Sequence, residues 1–366
     1  MNSVILALDF GGTKLTAALF SGQKESQAKT RRREGESKLR VFASSRAPLP
    51  LLLDLRRVFT PAGADAAHEL STMLATADDL LAGRSPAAVG VSFGGPVDFN
   101  RGLVRLSHHV RGWDNFPLRD RLAERFGAPA AVDNDANVAA LGEHRYGAGR
   151  GVDDLMYITV STGVGGGWVL GGRPWRGHEG MAGEIGHTVV DPNGPLCLCG
   201  KRGCVERLAS GPYMAADYAS VAQAVSLPGS EETSIPHPLG EARGRLVAGG
   251  NEDPLPNPLP GGEGMTGRDV AERAAAGDAL AMEILLRGAR GLGVGIGNTA
   301  NLINPQRFIL GGGVTKAGAA WWAEVWQSAA ATALPEVRFD VVPAALGDDA
   351  PLWGALALAE ESLAAD

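Results

Sequence analysis

The sequence predicts an α/β protein. Apolar β-type runs alternate with stretches of helical spacing along the whole chain, which favours α/β over all-α or all-β. Glycine clusters recur after those runs, at Gly11-Gly12, Gly94-Gly95, Gly163 to Gly167 and Gly311-Gly312-Gly313. A glycine backbone approaches a ligand closely and takes up positive φ, so strand-then-glycine reads as a phosphate or nucleotide loop, although any one cluster alone is also a tight turn.

Taken in order, residues 4–8 are a buried strand ending at Asp9, and residues 15–20 return as a second strand around Gly11-Gly12-Thr13-Lys14. Residues 23–50 are dense in Lys, Arg, Ser and Glu and hold Arg31-Arg32-Arg33; they read as a solvated insertion rather than a nucleic-acid contact. Helical spacing occupies 64–81, and residues 88–93 form a strand ending at Gly94-Gly95-Pro96-Val97-Asp98. Residues 130–132 lead into Asp133-Asn134-Asp135-Ala136-Asn137 and a helix to about Tyr146. Residues 155–160 deliver Ser161-Thr162-Gly163-Val164-Gly165-Gly166-Gly167. Residues 227–265, rich in Pro and Gly, read as a second surface insertion, because helical pattern resumes over 266–290. A long helix over 280–303 precedes a strand at 307–310 and the triple glycine, and the Ala/Leu-rich 350–365 ends as helix.

A net charge of −7 argues against a general nucleic-acid binder, which would be basic, but leaves room for a small anionic ligand held locally. No apolar run approaches the roughly 18 residues of a membrane span. The apolar stretch at 4–8 has no basic leader and runs into Asp9, so it does not read as a signal peptide. The cysteines give no disulfide framework, and the cytoplasm is the expected compartment.

All the cysteines, Cys197, Cys199 and Cys204, fall together, with His187 just upstream and the turn-forming Asp191-Pro192-Asn193-Gly194-Pro195 between. A Cys₃His set satisfies tetrahedral zinc at about 2.0–2.3 Å, while reduced or redox-active thiols are the competing reading. Glu184 and Glu206 flank the cluster.

In order, Asp9-Phe10-Gly11-Gly12-Thr13-Lys14, Ser161 to Gly167, Gly183-Glu184-Ile185-Gly186-His187, Gly203-Cys204-Val205-Glu206 and Asn304-Pro305 through Gly313 resemble the ROK family (repressor, open reading frame, kinase) of sugar kinases and sugar-responsive repressors. The match spans most of the chain outside the two insertions. The resemblance implies an actin-like ATPase (ribonuclease H-like) fold with two α/β domains around a central cleft and a structural zinc site. One domain would hold 1–136 with 348–366 returning to it, and the larger domain 137–347.

It also implies roles. Asp135, which by position alone is either an N-cap or a base, becomes the catalytic base, and Asp133 stays structural. Asn134, Asp135, Glu184, His187, Glu206 and Gly95 would bind sugar. Asp9 would hold Mg²⁺ through water, and Gly11, Gly12, Thr13, Lys14, Thr162, Gly163 and Gly165 the ATP phosphates. Gly312 and Gly313 would lie against adenosine. Zinc on His187, Cys197, Cys199 and Cys204 would have no open position and fix geometry instead. The expected reaction is ATP-dependent phosphorylation of a hexose, glucose at O6. An N-acetylhexosamine, fructose or mannose are the alternative acceptors, since Gly94 and His109 depart from the commoner pattern, and a non-catalytic sugar-sensing role is a further alternative. Repressors of the family carry a helix-turn-helix domain before the first phosphate loop, whereas Asp9 stands almost at the start. Family members are often dimers or tetramers, so a homo-oligomer is expected, with neither nucleic acid nor membrane as partner.

Overall fold

The computed structural model describes residues 3–12, 14–22, 49–107, 110–225 and 265–365. Most of both expected insertions, together with Thr13 and His109, lie outside the described residues. Met1–Asp153, Gly171–Met181 and Asp349–Asp366 form one compact unit, and Asp154–Leu170 with Ala182–Asp348 a second.

The first unit opens on β1 (Val4–Gly11) and β2 (Lys14–Ser21), an antiparallel hairpin in which Gly11 pairs with Lys14. β3 (Leu52–Phe59) pairs with β2, and α1 (Ala66–Leu81), capped by Asp65, precedes β4 (Ala88–Phe93). The ribbon of β5 (Val97–Asp98) and β6 (Leu103–Val104) and helix α2 (Leu118–Phe126) lead to β7 (Ala130–Asn134) and α3 (Asp135–Tyr146). Strand order is β3-β2-β1-β4-β7, with β4 parallel to both β1 and β7. β1 is apolar almost throughout because both faces of its sheet are covered. Val4, Leu6, Leu8 and Phe10 enter one core with Met73, Trp113 and Leu122, while Ile5 and Ala7 enter another with Val138 and Leu141.

The second unit begins with β8 (Leu155–Val160), on which β9 (Val164–Leu170) folds back. Gly165, Gly166 and Gly167, expected in a loop, are strand residues paired with Thr159, Ile158 and Tyr157. β10 (Arg173–Trp175) belongs to the stretch of first unit that follows. Then come α4 (Val205–Ala209), α5 (Gly211–Val225), α6 (Gly267–Ala275) and α7 (Ala279–Ile303). The helical pattern over 266–290 divides between α6 and the start of α7, the long helix expected over 280–303: Thr266 and Asp269 form a capping box, Gly277 turns the chain at positive φ, and Asp278 caps anew. β11 (Arg307–Gly311), α8 (Ala319–Thr332) and β12 (Asp340–Pro343) complete the unit, with strand order β9-β8-β11-β12. Ile158, Leu292, Ile296, Phe308 and Trp321 share its core.

α9 (Ala350–Ala365) returns to the first unit. It lies so close to α3 that a Cβ on Gly354 would stand 1.7 Å from the Val138 carbonyl oxygen. That packing carries the first unit on through α3 to Asp153. Among the described residues, no helix is long and apolar enough to cross a membrane.

Candidate active site and metal centre

In the first unit a polar row crosses the sheet. Thr16, Asp9, Ser92 and Asp133 are register neighbours on β2, β1, β4 and β7, near the carboxyl ends of the parallel strands, where open α/β sheets bind ligands. Thr16, Ser92 and Asp133 are buried. Ser92 Oγ donates to Asp9 Oδ1 at 2.8 Å. Burial pushes the Asp9 carboxyl up to about 6, against the opposing pull of the Ser92 hydrogen bond and the Lys14 charge. A bound cation would favour its ionised form. Thr16 Oγ1 is buried without a hydrogen-bond partner among the described residues. Gly11 and Gly12 stand half-buried at the hairpin turn beside this row.

At the end of the row the strand becomes a helix. Asn134, not Asp135, is the N-cap of α3: its Oδ1 accepts from the Ala136 N–H at 3.0 Å and the Asn137 N–H at 3.4 Å. Its Nδ2 donates to the Gly95 carbonyl at 3.1 Å and to Asp135 Oδ1 at 3.0 Å. Gly95, Asn134 and Asp135 are thus brought together. Asp135 is the first helical residue, at the positive end of the α3 dipole, and its Oδ1 also accepts from the Ala136 N–H at 2.8 Å. Asp133 accepts from Arg176 Nε at 2.6 Å. Sequence reasoning passes over Ser92 and Arg176. Ser92 had a signal, since a polar residue near the end of an apolar strand repeats Asp9 and Asp133; Arg176 had none.

In the second unit, exposed Thr162 and half-buried Gly163 form the turn between β8 and β9. Glu206 Oε2 accepts from the Val164 N–H at 3.0 Å, which ties that turn to the segment after Cys204. Glu184 is exposed and precedes the short 3₁₀ turn Ile185–His187. Gly312 has φ 91°, and a Cβ there would meet the Val160 carbonyl oxygen at 2.4 Å, so its close approach is to its own sheet. Exposed Gly313 has open space, with Ser161 Oγ nearest at 3.9 Å.

The donor atoms of His187, Cys197, Cys199 and Cys204 all lie within 4.8 Å of one another. Four ligands of a tetrahedral zinc stand roughly 3.8 Å apart, so the cluster has the right size. His187 Nδ1 is buried without a hydrogen-bond partner among the described residues. Lys201 Nζ donates to the His187 carbonyl at 2.6 Å, and the Val190 N–H to the Gly203 carbonyl at 2.9 Å. Gly203, at φ +59°, admits no side chain, since its Cβ would fall 1.7 Å from the Asp191 carbonyl oxygen. Burial and the Cys199 hydrogen bond push the Cys204 thiol up to about 12, so capture of a divalent ion here releases protons. The donor set fits zinc with every position taken by protein.

The sequence profile of the ROK family matches residues 55–362. The chain belongs to the ROK family. A glucokinase from Halalkalibacterium halodurans is 37% identical over 274 residues, 73% of this chain and 74% of that one. An N-acetylmannosamine kinase from Shigella flexneri is 31% identical over 357 residues, 97% of this chain and 98% of that one. The crystal structure of a ROK family glucokinase from Streptomyces griseus, in complex with glucose and AMPPNP, is similar at a TM-score of 0.68 and 30% identity, covering 98% of this chain and 100% of that one. The fold is that of the ROK kinases, an actin-like ATPase fold with mixed sheets.

Proposed function

We propose that this ROK protein is an ATP-dependent sugar kinase that converts glucose to glucose 6-phosphate. The observation that carries this reading is Asp135, a carboxylate fixed on the first turn of α3 in a chain 37% identical to a glucokinase. Asp135 accepts the proton of the sugar 6-hydroxyl as that oxygen attacks the γ-phosphate of ATP. Asn134, itself bonded to the Gly95 carbonyl, holds Asp135 in place; Asn134 and Gly95 border the sugar, Glu184 and Glu206 receive its other hydroxyls, since carboxylates accept strong hydrogen bonds from vicinal hydroxyls, and His187 is a sugar neighbour.

Gly11, Gly12, Thr13, Lys14, Thr162, Gly163 and Gly165 contact the phosphates, and Gly312 and Gly313 the adenosine. Asp9 would hold Mg²⁺, which would supply positive charge to the phosphate oxygens when bound. His187, Cys197, Cys199 and Cys204 would hold zinc, which would fix the loops that present His187 and Glu206. The use of ATP agrees with a cytoplasmic enzyme, and the family resemblance extends to a dimer or tetramer.

The likeness to an N-acetylmannosamine kinase over 97% of the chain favours a second reading, with an N-acetylhexosamine as the acceptor. A coupled assay of ADP release over hexoses and acetylhexosamines separates the two. Release fastest with glucose supports the first reading, and release with an acetylhexosamine alone supports the second. No release with any sugar would instead leave a sugar-sensing protein.

A further inference from the structure

The ion pair of Arg176 and Asp133 has no part in the reaction drawn above, yet it is among the most buried charged pairs of the first unit, with side chains 19% and 3% exposed. Removing two charges from water is costly, and such a pair is weak evidence for stability by itself. Its surroundings give it another use. Asp133 Oδ2 accepts from Arg176 Nε at 2.6 Å. Asp133 Oδ1 accepts from the Asn134 N–H at 2.8 Å and from Asn137 Nδ2 at 3.3 Å. One carboxylate therefore holds both the residue before Asp135 and the residue a half-turn after it. Burial raises the Asp133 carboxyl, and the Arg176 charge and hydrogen bond oppose that rise.

Arg176 is fixed in turn. Its guanidinium carbon stands 3.5 Å from the centroid of the Phe99 ring, so the group stacks on an aromatic face while its edge reaches Asp133. A lysine ammonium can supply the charge, but it cannot stack and donate along a fixed direction at once. The chain places Arg176 on the stretch Gly171–Met181, which belongs to the first unit although residues of the second precede and follow it.

We propose that Arg176 is a positioning residue for Asp135: through Asp133 it sets the first turn of α3 and so the direction of the carboxylate that takes the sugar proton. The proposal rests on the reading of Asp135 as the base. Its geometric half, the setting of the first turn by Arg176, stands on the contacts alone.

The test uses the full-length protein in two variants, Arg176→Lys and the neutral double variant Asp133→Asn/Arg176→Gln, which leaves no buried charge unpaired. Steady-state kinetics with glucose, thermal melting and amide hydrogen exchange are measured on each. For Arg176→Lys, melting and glucose KM stay near wild type while kcat falls roughly tenfold to a hundredfold, the cost of a small misplacement of a catalytic group. Exchange of the Asn134 to Asn137 amides accelerates. The double variant recovers any lost melting temperature but not kcat.

Wild-type kcat and unchanged exchange in Arg176→Lys would overturn the proposal. So would a loss of kcat that follows the melting temperature and returns with it in the double variant, which is the mark of a merely structural pair. If wild-type protein releases no ADP with any sugar, the kinase reading fails and the proposed catalytic role of Arg176 fails with it. The exchange data still report separately whether Arg176 sets the turn.

Discussion

Glu69 shows how a single buried acid marks this chain. It is 2% exposed on α1, and its Oε2 accepts from Trp113 Nε1 at 2.8 Å. Burial holds its carboxyl above the ordinary range, and the Trp113 hydrogen bond only partly opposes this. A carboxyl raised on folding binds its proton more tightly folded than unfolded. Its contribution to stability is fully present below the unfolded value and is lost as pH rises through the folded one. Glu69→Gln keeps an acceptor for the indole and never ionises. Its melting temperature should exceed that of wild type at pH 8, with little or no gain at pH 4; an equal shift at both would contradict the assignment. The carboxylates of the site were legible as residue types, because Asp9 and Asp133 interrupt apolar strands. The Glu69–Trp113 and Asp133–Arg176 pairs were not, since each joins segments that only the folded sheet and its helices bring together.

At the scale of elements, the sequence is readable where an apolar run meets a polar stop. β4 and β8 fall where the pattern puts them, at Ala88–Phe93 and Leu155–Val160. β9 escapes because Gly165, Gly166 and Gly167 have no side chains to mark a strand, and β12 escapes as a short edge strand, Asp340–Pro343, ending in proline. The cysteine segment was legible in its candidate ligands but not in its supports, the Lys201 contact to His187 and the Glu206 contact to Val164. Those supports would give a bound zinc ion a consequence beyond its own loop. Cys204→Ser should lower bound zinc from about one ion per chain to near zero by elemental analysis. It should also weaken glucose binding on the order of tenfold by calorimetry, since His187 and Glu206 lose their frame. Loss of the metal with unchanged glucose affinity would show that the cluster does not shape the sugar contacts.

Each unit, as a whole, is built on the same plan: an antiparallel hairpin joined edge-on to parallel strands, β3-β2-β1-β4-β7 in one and β9-β8-β11-β12 in the other. The plan was legible as α/β from alternation, and the ROK resemblance supplied the fold that alternation leaves open. The return of α9 to the first unit follows from small residues, Gly90, Gly142 and Gly354, that no hydrophobic pattern would single out. On this frame Asp135 is proposed to take a proton from glucose. That step is tested most directly by phosphorus NMR of product formed from glucose, ATP and Mg²⁺ by wild type and by Asp135→Asn, with zinc content and glucose binding measured on both. Wild type should yield glucose 6-phosphate and Asp135→Asn should lose about 10²- to 10⁴-fold in rate, with zinc and glucose binding retained. Product at the wild-type rate from Asp135→Asn, or none from wild type, would contradict it.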